Sequence, residues 1–208
     1  MGNFLANIRY VAWGGFIVGA AFLLYMWLVF AGASPSDIAF QDALFRWLHV
    51  LSGIMWIGHL YYFNFTQIPN APKIPEEHRG PAISKVIAPA ALFWFRWGAV
   101  ATLVTGLILA TIRGYLVHAL VLGADEEFAV KKDIFIGIGM WLAIIMFFNV
   151  WAIIWPNQQK ALGIGAENAN LDPAVKTKAA RTAMLFSRTN TFLSVPMLVA
   201  MTGAQAWG

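Results

Sequence analysis

An all-α integral membrane bundle of about five transmembrane helices is the fold this sequence predicts, and three observations predict it. Of its 208 residues, 60% are hydrophobic and only 12% are charged, where a soluble domain carries about twice that charged share. Five apolar runs reach the ~20 residues that a bilayer crossing requires. Ten Trp, sixteen Phe and eighteen Gly suit helices in lipid, where aromatics gather at the interfaces and glycine is common. Residues 1–208 are expected to form one membrane domain, without a tandem repeat, a low-complexity tract or a second domain.

The first span covers roughly 9–32, "RYVAWGGFIVGAAFLLYMWLVFAG"; its apolar stretch is too long for a secretory signal and reads as a retained anchor helix. A short turn comes next, in which Ser36 or Asp37 is placed to cap the second helix. The second span, roughly 39–67, would be ~43 Å long at 1.5 Å per residue, so it must tilt or protrude. Pro69, Pro72, Pro75 and Pro81 mark the next stretch as a surface loop, and Pro89 stands near the start of the third span. That span has its apolar core at 90–112 and is expected to run on as helix to about 121. "LGADEEFAVKKD" is a charged turn. The fourth span, 133–155, is closed by "WPNQQK". A polar loop at 157–182, where Asp172-Pro173 can start a surface helix, leads to the fifth span, 183–205, which contains Pro196.

Orientation rests on the distribution of Lys and Arg. The N-terminus and the second and fourth loops carry Arg9, Lys73, Arg79, Lys85, Lys160, Lys176, Lys178 and Arg181; the opposite side carries Arg46, Arg113, Lys131 and Lys132. The bias places the N-terminus in the cytoplasm and the C-terminus in the periplasm, which makes this a multi-pass protein of a bacterial inner membrane. The net charge of +4 is scattered over loops and forms no stripe, which argues against nucleic acid and for anionic lipid. There is no cysteine. That excludes disulfides, thiolate metal sites, iron–sulfur clusters and covalently attached c-type haem, so any haem here is held non-covalently.

The chemistry-bearing residues are those inside the apolar runs. "RWLHVLSGIMWIGHLYY" puts Arg46, His49 and His59 in the second span, where an ionisable group is a functional-site hypothesis by default. Neutral imidazole is the natural ligand of a non-covalent haem b. His49 and His59 lie ~15 Å apart along a helix and ~80° apart around it, so one iron cannot take both. His118, near the same membrane face as His49, is the best-placed second ligand. Arg46, one turn before His49, and Arg113, near His118, are candidates for the haem propionates, because guanidinium binds carboxylates in a bidentate fork. Near the other face, His59 and Arg96, the latter inside "FWFRWG", are candidates for a second cofactor or a quinone; the blander reading is an arginine that snorkels to the headgroups and a histidine bonded to a neighbouring helix. Ser52, Gly53 and Gly58 let a helix or a flat ligand approach His49 closely. Asn149, Asn190 and Ser194 either glue helices together or line a site, glue being the commoner case.

"RWLHVLSGIMWIG", "WFRWGAVATLVTG", "NVWAIIWPNQQKAL" and "SRTNTFLSVPMLVAM", taken in that order, resemble the N-terminal membrane domain of the bacterial urate oxidase (urate hydroxylase) family. The second span also resembles, more distantly, the haem-associated group that includes the protoporphyrinogen oxidases and copper-resistance membrane proteins. The resemblance implies a helical membrane module that works with electron transfer. Carried over by position, it implies that His49 is the family's span-two histidine and that Arg96, Trp97, Asn149, Pro156, Gln158, Asn190 and Pro196 fall in its motifs, whereas Thr189 stands where a histidine belongs. The family's C-terminal cytochrome c domain, with its C-x-x-C-H, is expected to be missing. Three functions are therefore expected: a b-haem electron-transfer protein serving a periplasmic c-type cytochrome or a respiratory or photosynthetic complex, a cofactor-free accessory or assembly subunit of a larger membrane complex, or an enzyme of urate-oxidase or porphyrinogen-oxidase type.

Overall fold

A computed structural model describes residues 2–31 and 37–206, and every regular element among them is helical. The expected cap at Ser36 lies outside the described residues, and Asp37 takes the N-cap position of the helix after it. Beyond a single turn at Gly2–Leu5 comes α1, Ile8–Tyr25, prolonged by a π turn at Met26–Ala31. Asn7 starts α1 by accepting a bond from the Arg9 N–H, as an N-cap does. Helix α2, Ile38–Tyr61, continues through Tyr62–Gln67 to Asn70. The others are α3, Glu76–Ile112, a short α4, Leu116–Leu120, then α5, Lys131–Leu162, and α6, Pro173–Ala206. Among the described residues, three helices are long and apolar enough to cross a membrane: Ile8–Val29, α3 and α5.

The helices outrun the spans read from the sequence because proline does not end them. Residues 76–84, the second half of the expected surface loop, are the start of α3, and α5 passes through Pro156 to Leu162. The residue just before each of three prolines donates to the carbonyl five back: Ile68 to Phe63, Ala88 to Ile83 and Trp155 to Val150. A proline ring collides with the carbonyl four residues before it. Widening the turn to a π pattern just ahead of Pro69, Pro89 and Pro156 is one way to clear that carbonyl while keeping the chain helical.

Glycine acts differently. Helix α3 stops at Ile112, short of the expected 121, because Gly114 turns into the left-handed region at φ 77° and the Tyr115 N–H closes back on the Ala110 carbonyl. His118 therefore sits on a separate short helix.

The main contact is between α2 and α3, and the second is between α5 and α6. Gly98 lets the first pair close, since a Cβ there would lie 3.1 Å from the Trp56 backbone nitrogen. Trp56, Leu60, Phe63, Phe95, Met146, Val150 and Ile154 fill the core between these helices. Polar bonds tie it across helices: Asn149 donates to Asn190, Asn190 to the Met146 carbonyl, Asn64 to Ser187, and Tyr61 meets Ser194 at 2.9 Å. These asparagines and serines are glue, which is their common use in such bundles. In contrast, α1 buries none of its residues; it touches α2 through the Phe16–Trp47 ring pair, and the π turn beyond it through Trp27–Phe40.

Candidate functional site

His49 lies on the face of α2 that meets α3. Its Nδ1 is 3.0 Å from the Thr102 carbonyl oxygen and 3.2 Å from the Thr105 hydroxyl. A carbonyl can only accept, so Nδ1 carries the proton and Nε2 keeps its lone pair. Gly106 makes room for the ring, since a Cβ there would stand 2.9 Å from His49 Cε1. Gly53, one turn further on, has nothing within 4 Å of where its Cβ would be. The threonines are used locally as well: Thr102 donates to the Gly98 carbonyl and Thr105 to that of Ala101. Their side chains thus satisfy themselves along α3, and the Thr102 carbonyl is left to orient His49.

One turn before His49, Arg46 reaches back to Asp42 at 2.5 Å. Arg113, at the end of α3, binds the same carboxylate through Nε, with a second bond from Nη2 at 3.2 Å. Asp42 thus clips α2 to α3, and the three side chains together keep a net positive charge beside His49. The structure brings Arg46 and Arg113, the candidates for haem propionates, together on Asp42. Sequence reasoning missed Asp42 as a site residue, although its spacing of four before Arg46 was a usable signal.

His118 is not gathered to this cluster by any contact. It is half-exposed on α4, with Nδ1 2.7 Å from Asp125 and 3.7 Å from Glu126. The Asp125 hydrogen bond first, then the acidic neighbours, hold its pKa above the ordinary 6.5.

His59 and Arg96 serve different interfaces of α3. His59, on α2, gives its Nδ1 proton to the Met55 carbonyl at 2.7 Å. It lines an open, mostly apolar groove of about 580 Å³ between α2 and α3, with Tyr62, Ala90, Ala91 and Trp94. Arg96 lies instead against α5, its Cζ 3.2 Å from the Trp155 ring centroid and 6.0 Å from that of Trp151. No group of three or more His, Asp or Glu side chains suited to a bare metal ion occurs among the described residues.

Residues 109–205 match the family model described as urate oxidase N-terminal. This part of the chain is thus similar to the family that the sequence motifs resemble. The match takes in His118, the Asn149–Asn190 pair and α6, and leaves out Asp42, Arg46, His49 and Arg96. No curated protein and no solved structure matches the chain.

Proposed function

We propose that this is a multi-pass protein of a bacterial inner membrane that holds a b-type haem through His49 and passes electrons to a c-type cytochrome or to a respiratory or photosynthetic complex. The observation that carries the reading is the fixed tautomer of His49. A backbone carbonyl holds Nδ1–H and leaves the Nε2 lone pair free to ligate, the second-shell arrangement that metal-binding histidines use. The residues around it fit the group in three further respects. Gly53 leaves open space one turn from the imidazole. Arg46 and Arg113, with only Asp42 between them, supply a cationic rim for propionates. His49 itself is half-buried in the seam between α2 and α3. His118 is engaged at the surface by Asp125 and Glu126, so the reading rests on His49 as the one protein residue that would hold the group. A haem held there would supply one-electron chemistry, and the chain's own part is to ligate and orient it.

The same proposal includes five crossings. Helix α2, at 24 residues up to Tyr61, and α6, at 34, are both long enough for a ~30 Å core, and the Lys/Arg bias then sets the N-terminus in the cytoplasm. The test is a reduced-minus-oxidised absorption spectrum of the purified protein. A b-type band at about one haem per chain, lost in His49→Ala, is expected; a colourless wild-type protein overturns the proposal.

A second reading, a cofactor-free subunit of a larger membrane complex, is favoured by α1, whose apolar surface is buried nowhere in this chain. The match over 109–205 favours a urate-oxidase-type enzyme, which turnover of urate with an added electron acceptor would reveal.

A further inference from the structure

We propose that Arg96, laid flat on Trp155, forms a phosphate-binding site that takes the anionic headgroup of a membrane lipid. The guanidinium face is already used, with Cζ 3.2 Å from the Trp155 centroid, a stack that fixes the plane of the group and leaves its edge for a ligand. Two of its nitrogens, Nε and Nη1, are enclosed without an acceptor, and so is Nε1 of Trp151 beside it. A buried donor without a partner is costly, and a cation inside a membrane protein without a counter-charge more so. Three N–H groups in one small region, with no carboxylate bonded to them, call for an acceptor from outside the chain. The side chain as a whole is half-buried, so the guanidinium reaches the surface.

Depth selects the kind of anion. Trp94, Trp97, Trp151 and Trp155 lie at the level of Arg96, with Trp97 and Trp151 packed edge to face at 5.8 Å. Such a belt marks the headgroup boundary. Lys73 between α2 and α3, Arg79 and Lys85 in the first turns of α3 and Lys160 near the end of α5 raise the local concentration of anionic lipid. Phosphate oxygens match the guanidinium fork, whereas the ammonium of a lysine would offer only a point charge.

The site is independent of the haem, and its readout is not a haem spectrum. The full chain is purified in mild detergent, and the lipid that stays bound is weighed by native mass spectrometry. Delipidated protein is then offered phosphatidylglycerol, phosphatidylcholine or inorganic phosphate. The wild type is expected to retain about one anionic lipid and to prefer phosphatidylglycerol to phosphatidylcholine about tenfold. Arg96→Gln should lose that preference, and Arg96→Lys, which keeps the charge and the fold, should keep part of it. Inorganic phosphate that binds the wild type, fails to bind Arg96→Gln and is not displaced by lipid supports the same chemistry with a free anion as its source. Equal retention of anionic lipid by wild type and both variants, or no preference in the wild type together with no phosphate binding, overturns the proposal.

Discussion

In the seam between α2 and α3, His49 gives its Nδ1 proton to a backbone carbonyl; in the surface turn after α3, His118 gives its own to a carboxylate. The two imidazoles make the same kind of bond through the same atom, and the acceptor sets the chemistry of each ring. The neutral Thr102 carbonyl orients the first ring and leaves Nε2 as a base or a ligand. The Asp125 carboxylate draws a proton onto the second ring and turns it towards a cation. A histidine in a membrane protein is thus better read from its hydrogen-bond acceptor than from its depth.

The contrast can be attacked from the seam first. Asp42→Ala leaves Arg46 and Arg113 without their shared partner and cuts the clip between α2 and α3. The Asp42 side chain is 19% exposed and those of Arg46 and Arg113 43% and 27%, so solvent screens the pair. The expected cost is about 2 kcal/mol, between that of an exposed and that of a buried ion pair, read from thermal or denaturant unfolding in detergent. Asp42→Asn should recover about half.

A smaller change sharpens the comparison at the ring itself. In Gly106→Ala the new Cβ would lie 2.9 Å from His49 Cε1 and 3.2 Å from Nδ1. The ring must turn and give up its bond to Thr102, at a cost of about 1 kcal/mol. If haem is bound, its band should shift or weaken in this variant. The equivalent change at Gly53, where nothing of the chain lies within 4 Å, should leave stability alone.

The surface turn gives the smallest effect, and it is a pH dependence. The His118 pKa is raised in the fold, so at pH values between 6.5 and that raised value the folded state binds more protons than the unfolded state. The stabilisation from the pair is complete below pH 6.5 and disappears as pH rises through the raised folded-state value. Melting curves across that window should show a small decline in Tm, and Asp125→Asn should flatten it.

The helices of both regions were legible in the sequence because a long apolar run in a chain with so few charges has few other ways to satisfy its backbone. Their ends were harder to read. Pro75 and Pro81 look like a loop in water, but α3 begins at Glu76 and carries Pro81 within it; a helix that runs on past proline through π-type turns is not visible in the sequence. Gly114 ends the helix that was expected to run on to about 121, so His118 stands on a separate short helix. In the site, His49, Arg46 and Arg113 stood out by residue type and depth, but the Asp42 carboxylate on which the two arginines meet did not. Nor did the other partners that define the chemistry: a backbone carbonyl at Thr102 has no letter of its own in the sequence, and the stack of Arg96 on Trp155 depends on how α3 lies against α5.

The decisive measurement is the reduced-minus-oxidised spectrum of the His49→Gly protein, taken before and after imidazole is added. Ligation through Nε2 of His49 means no b-type band without imidazole and its return when the free base fills the space left by the side chain. A full-strength band in His49→Gly without imidazole would place the iron elsewhere and contradict the proposal.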